Sequence, residues 1–189
     1  MQYITEERAI VRDVLSGDRT AFENLVRRYE RLVLHIVTPL VGVIADREDI
    51  CQDVFMKVYE KIGSFRFDSK LSTWIGNIAY NTSINFLQKK KNILLGDLFS
   101  NDKSGLHPLH EIIVEETNAE NVMIKKEELA RLSITIDKLP EMQKAVILLF
   151  HYHDLSISDI GVILEMTENT VKSHLFRARK LLKEYLNKK

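Results

Sequence analysis

The chain has 189 residues, 45 % of them hydrophobic and 29 % charged, with a formal net charge of zero at pH 7. That length allows two small domains or one medium one, and 7 Gly with 3 Pro argue for helices over a turn-rich β fold. No apolar run approaches the roughly 18 residues of a membrane span. The charged start MQYITEERAI lacks a signal peptide's apolar core, and a single cysteine, Cys51, excludes an internal disulfide. Together these predict a soluble protein of the reducing cytoplasm.

Every periodic segment has a helical pattern. TEERAIVRDVLSG reads as a short helix ending near Gly17. TAFENLVRRYERLVLHIV opens with Thr20 and Glu23 at capping-box spacing and lines up Phe22, Leu25, Tyr29, Leu32 and Ile36 before Pro39 stops it. DREDICQDVFMKVYEKI starts at Asp46, the expected N-cap, with Ile50, Val54, Phe55, Val58 and Ile62 on one face. After the loop GSFRFDSKLS, TWIGNIAYNTSINFLQKKK carries Ile75, Ile78, Ala79, Thr82 and Phe86 as its buried stripe. These helices are expected to form an N-terminal domain over residues 1–91.

Residues 92–118 lose periodicity and hold Gly, Pro, Asn and Ser, the mark of a linker. Helices resume over 119–189: NVMIKKEELARLSITIDKL, then PEMQKAVILLFHYHDL with Pro140 in its first turn, then SISDIGVILEM and TENTVKSHLFRARKLLKEYL. The expected fold is all-α, two small helical domains joined by a flexible acidic linker. Thr167 or Asn169 is placed to cap the last helix.

The neutral sum hides segregated charge. Thr170 to Lys189 holds seven Lys/Arg against one Glu, and Asn92 to Glu128 holds eight Asp/Glu against three Lys. QKKKN forms a second basic knot. Such local fields steer a polyanion even when the total is zero.

The strongest constellation is LSISDIGVILEMTENTVKSHLFRARKLL, a short helix, a tight turn and a longer basic helix. That is the helix-turn-helix pattern, whose second helix enters the major groove. Ile160, Ile163 and Leu164 are expected to pack on Val171 and Leu175, with Gly161 letting the two helices approach. Lys172, Ser173, Phe176 and Arg177 then project from the leading half of the second helix. Arg and Lys bond guanine edges or phosphates, and Phe meets a thymine methyl. The bland alternative is a charged surface helix.

In the second constellation, FRFDSKLSTWIGNIAYN, Trp74, Asn77, Asn81, Asn85 and Gln88 recur at steps of three and four. Phe65, Phe67 and Tyr80 lie close by, and KKK follows. Rings beside amides and cations suit unpaired bases; the alternative puts Trp74, Phe65 and Phe67 in the core. A third face, Asp49, Gln52, Asp53 and Met56, lies opposite Ile50, Val54 and Val58, and periodicity alone reads it as solvated. His151, His153 and Asp154 match no strong metal spacing, with His151 expected against the core. Neither a glycine-rich phosphate loop nor a nucleophile elbow occurs, and Cys51 reads as packing. No metal, cofactor, catalytic set or small-molecule substrate is expected.

In their order over two domains, GDRTAFENLVRRYERLV, DREDICQDVFMKVYEKI, FRFDSKLSTWIGNIAYNTSINFL and LPEMQKAVILLFHYHDLSISDIGVILEMTENTVKSHLFRARKLL resemble the blocks of bacterial RNA polymerase sigma factors of the extracytoplasmic-function group. The resemblance spans nearly the whole chain. It implies that Asp49, Gln52, Asp53 and Met56 bind the clamp of core RNA polymerase, while the C-terminal domain meets its flap. It implies a minus-ten DNA surface of Phe65, Phe67, Ser69, Lys70, Trp74, Asn77, Asn81, Asn85 and Lys89. It implies a minus-thirty-five surface of Thr170, Lys172, Ser173, His174, Phe176, Arg177 and Lys180. The linker would thread near the RNA exit path, and an anti-sigma factor is an expected partner besides polymerase and promoter DNA. Tyr80, Gln88 and His174 stand where arginine is common in the family, and Gly161 where alanine is usual, which moves the expected basic minus-ten contacts toward Lys89, Lys90 and Lys91. The competing readings are a helix-turn-helix regulator that binds duplex DNA alone and, more distantly, a small all-α enzyme using His151 and His153.

Overall fold

The computed structural model describes residues 2–96 and 131–187, with side chains described at 6–90 and 131–187. Among these residues all regular structure is helical. The N-terminal helices are α1 (Gln2–Leu15), α2 (Arg19–Val37), α3 (Ile44–Lys61) and α4 (Leu71–Gly96), with a 3₁₀ turn at Ile62–Ser64 after α3. The C-terminal helices are α5 (Glu141–His151), α6 (Ile157–Ile163) and α7 (Glu168–Asn187), preceded by helical backbone at 131–137. α4 continues to Gly96, past the domain boundary expected at Lys91. Most of the expected linker, and the start of the helix read from 119, lie outside the described residues.

Chain punctuation sets the helix ends. Gly17 follows α1 with φ +84, a left-handed conformation that favours glycine. The cap of α2 is Asp18, not the expected Thr20: its carboxylate accepts the Thr20 N–H at 2.8 Å and the Ala21 N–H at 3.3 Å. A carboxylate there also meets the positive end of the helix dipole, which a hydroxyl one residue inside cannot. Asp46 does not cap α3 either. The helix begins two residues earlier, after Val43, and Asp46 instead takes the Lys90 ammonium at 2.6 Å, tying α3 to α4.

The apolar stripes close on one another. Leu25, Leu32, Val33 and Ile36 of α2 meet Ile50, Val54 and Val58 of α3 and Leu71, Ile75 and Ala79 of α4 in one buried cluster. That cluster runs on without a break into the C-terminal helices, through Val146, Leu149, Ile160, Ile163, Val171 and Leu175. The two halves are therefore packed together, α2 against α5 and α4 against α6.

α6 opens with a reciprocal capping box: the Asp159 N–H donates to Ser156 Oγ at 3.0 Å, and the Ser156 N–H donates to Asp159 Oδ2 at 3.3 Å. It ends in a tight left-handed turn with Glu165 at φ 52, where the Met166 N–H donates to the Gly161 carbonyl at 2.9 Å. A Cβ on Gly161 would lie 2.8 Å from the Met166 carbonyl oxygen. Gly161 thus makes room for the turn's own backbone and not for the neighbouring helix, as the sequence suggested. Backbone cannot step aside cheaply, so Gly161→Ala is expected to cost about 1–3 kcal/mol by overpacking. A thermal unfolding midpoint equal to the parent's would show that this turn relaxes freely.

Candidate nucleic-acid interface

α7 buries Val171, Leu175 and Ala178 and exposes the opposite side. Its start is held by Thr167, whose Oγ1 accepts the Thr170 N–H at 3.3 Å, deciding the cap in favour of Thr167 over Asn169. The seven residues expected at the groove divide by what already occupies them. The Thr170 hydroxyl meets Thr167 Oγ1 at 2.9 Å, the Ser173 hydroxyl donates to the Asn169 carbonyl at 2.9 Å, and Lys172 lies 3.4 Å from Glu168. His174 is half-buried; burial and the nearby Arg177 charge push its pKa below the ordinary value, so it brings no positive charge to the face. Phe176, at 71 % exposure, stands out into solvent, and Arg177 and Lys180 have no ion-pair partner among the described residues. Arg179, one step round, is turned the other way: it lies 5.4 Å over the Phe150 ring and 3.1 Å from His151 Nε2. His151 is accordingly exposed and bound to Arg179, not set against the core as expected.

The aromatic loop before α4 is layered. Phe65 is only 7 % exposed, with Phe67 at 4.7 Å and Trp74 at 5.4 Å between ring centroids. Phe65 is therefore the support beneath the other two rings, a correction to its placement on the DNA-facing surface. Phe67 takes φ 61, a costly conformation for a bulky side chain, with the Arg8 guanidinium 5.2 Å from its ring. Both Phe67 and Trp74 are half-buried, and Ser69 and Lys70 are exposed at the loop. Along α4 the amides are linked, Asn81 Nδ2 donating to Asn77 Oδ1 at 3.0 Å, while Asn85, Gln88 and Lys89 are exposed. Lys90 is held by Asp46, which leaves Lys89 the freer of the two basic side chains.

On α3 the carboxylates of Asp49 and Asp53, with Gln52 and Met56, are all exposed, Met56 to 60 %. Tyr59 extends that ridge with an exposed ring, 4.9 Å from Phe22. The sequence reading missed it because a tyrosine one turn past a polar face passes for a flank of the apolar stripe. Cys51 behind the ridge is half-buried, and burial pushes its thiol up to about 11, too high for a nucleophile. Among the described residues, no cluster of His, Cys, Asp or Glu could hold a metal ion, and no helix is long and apolar enough to cross a membrane.

Residues 25–93 match the family described as Sigma-70 region 2, and residues 130–182 match Sigma-70, region 4. The chain is 31 % identical to the ECF RNA polymerase sigma factor SigW of Bacillus subtilis, over 93 % of this chain and 94 % of that one. It is 35 % identical to the ECF RNA polymerase sigma-E factor of Haemophilus influenzae, over 93 % of each. Among solved structures, the fold is similar to the sigma factor RpoE of Bartonella quintana in complex with the anti-sigma factor NepR, at 22 % identity and TM-score 0.59, covering 88 % of this chain and 98 % of that one. It is also similar to CnrH in complex with the cytosolic domain of CnrY, at 20 % identity and TM-score 0.56, over 95 % and 96 % of the two chains. With relatives of this identity over nearly its full length, and both sigma regions in their order, the chain belongs to the extracytoplasmic-function group of RNA polymerase sigma factors.

Proposed function

We propose that this chain binds core RNA polymerase, directs it to specific promoters and helps open the DNA there, acting as a specificity subunit and not as an enzyme. The observation that carries the reading is the geometry of α7: its apolar side is buried while Phe176, Arg177 and Lys180 are presented without competing partners among the described residues. A merely decorative surface helix would have no reason to keep Phe176 so exposed. The minus-thirty-five element is read by this face, with Lys172, Thr170 and Ser173 nearer the phosphates. The minus-ten surface is the Phe67–Trp74 pair with Asn77, Asn81, Asn85 and Lys89, the rings for stacking and the amides for base edges. The linker joins the two, and its acidic run suits passage along a nucleic-acid exit path. Work beside polymerase places the protein in the cytoplasm. An anti-sigma factor is a proposed partner, because the similar RpoE was solved with one.

The clamp is taken by the α3 ridge, Asp49, Gln52, Asp53 and Met56, with Tyr59 at its end. Exposed carboxylates there call for a basic matching surface, and rim charges set steering and register more than they set the fold. Asp53→Lys is therefore expected to weaken binding to sigma-free core polymerase with an unchanged melting curve. Parent protein that fails to co-purify with core polymerase contradicts the function itself. Parent and Asp53→Lys proteins that co-purify equally at moderate salt would remove this ridge from the interface.

A further inference from the structure

α1 lies ahead of residues 25–93, the stretch that matches Sigma-70 region 2, yet it reaches the aromatic loop and the start of α4. The first helical bond of α4 runs from the Trp74 N–H to the Lys70 carbonyl at 3.1 Å, which puts Lys70 at the cap position. A lysine side chain has no acceptor, and the Ser69 hydroxyl is turned to the Lys70 carbonyl at 3.4 Å, so neither serves the free N–H groups of the first turn. Glu7 does so from α1, 64 positions earlier: its Oε1 accepts the Leu71 N–H at 3.1 Å, and its charge suits the positive end of the helix. Val11 and Val14 of α1 are buried in the core, and Arg28 of α2 holds Glu6 at 3.0 Å, so α1 is fixed beside the loop. Arg8, next in the chain, is exposed, with its guanidinium 5.2 Å from the centre of the Phe67 ring. The two carboxylates before it are spent elsewhere, Glu6 on Arg28 and Glu7 on Leu71, and Arg8 forms no ion pair among the described residues. The loop adds two exposed cations, Arg66 and Lys70, against one carboxylate, Asp68.

We propose that Arg8 is a strand-contacting residue of the minus-ten site, binding a phosphate of the unpaired strand beside the Phe67 ring. The proposal rests on the reading of the aromatic loop and α4 as the strand-binding surface. A guanidinium set over a ring uses its flat face and keeps the N–H donors around its edge free, and their fork matches two oxygens of one phosphate. A base taken up by the rings and the Asn77–Asn81 amides brings its own phosphate to the rim of the loop, where the uncompensated cations stand. The same contact supports the loop's shape. Phe67 at φ 61 holds a conformation that costs a bulky residue energy and persists only where its surroundings enforce it. The Phe65 ring at 4.7 Å and the Arg8 guanidinium are part of those surroundings. Arg8 therefore ties phosphate binding to the conformation that presents the ring. Lysine is no equivalent here: an ammonium brings a charge but neither a flat face nor a fork.

The test uses holoenzyme built from the full chain, on a promoter fragment at one of its own transcript starts whose minus-ten segment is kept unpaired by mismatches. The non-template strand carries an uncharged methylphosphonate at one position at a time. With the parent protein, one such position should lose about ten-fold in affinity, the lower end for a hydrogen bond to a charged group. Arg8→Ala should bind the unmodified strand about ten-fold more weakly, show no further loss at that one position, and keep the parent's response at every other. Arg8→Lys should recover only part of the affinity. A merely structural role for Arg8 would lower affinity without erasing the response to one phosphate, so Arg8→Ala protein that keeps the parent's response at every position overturns the contact. Arg8→Ala binding equal to the parent's overturns it as well, and full recovery by Arg8→Lys overturns the stacked fork. Trp74→Ala on the same DNA separates this from the wider reading. If Trp74→Ala weakens binding and Arg8→Ala does not, the Arg8 contact alone is wrong. If neither does, the loop and α4 are not the strand-binding surface, and the contact falls with them.

Discussion

Replacing Trp74 by alanine is expected to cut open-complex formation by holoenzyme about five- to 150-fold, the equivalent of the roughly 1–3 kcal/mol that a stacked base loses with its aromatic partner. The indole is half-buried on Phe65 and stands at the head of the Asn77–Asn81 stripe, so a base set on it would have amides within reach. Because the ring also packs on the core cluster, the alanine variant loses some stability as well. Trp74→Phe separates the two effects: it keeps a stacking face and should recover most of the activity. Permanganate footprinting on a melted promoter reads the result. Equal reactivity of unpaired thymines with the parent and a folded Trp74→Ala protein would make Trp74 a core residue alone.

Arg177→Ala is expected to cost holoenzyme about 1–3 kcal/mol on its best promoters and to relax preference at one or two upstream base pairs. The burial of Val171, Leu175 and Ala178 fixes the side of α7 from which Arg177 projects, and nothing among the described residues competes for its guanidinium. Lys180→Ala, further along the same face, should weaken every sequence alike and lower the salt slope by about one, the signature of a phosphate contact. Promoter libraries assayed with holoenzyme separate the two. An unchanged promoter ranking and affinity for Arg177→Ala would reduce α7 to a charged surface helix.

Where a property depends on one helix, the sequence was enough to find it. The buried face of α7 and the apolar stripes of α2 and α3 follow from spacing, because a helix shows one face to its core. Caps were less legible: Asp18 and Thr20 are both good cap types two residues apart, and only the backbone geometry chooses. The order of the rings at Phe65, Phe67 and Trp74 depends on a loop with a left-handed residue, which composition does not announce. Contacts between the halves were not legible at all. His153 read as a stray metal-type residue, and Gly76 carried no signal; their partners are His35 on α2 and Ile163 on α6, more than a hundred and more than eighty residues away in the chain.

The most direct test of the account adds the protein to sigma-free core polymerase on genomic DNA and maps transcript starts. The account predicts discrete starts absent with core alone, preceded by two shared sequence elements at a near-constant separation, re-ranked with Arg177→Ala and weakened with Trp74→Ala. Starts no different from those of core polymerase alone, with the protein folded and present in excess, would contradict it.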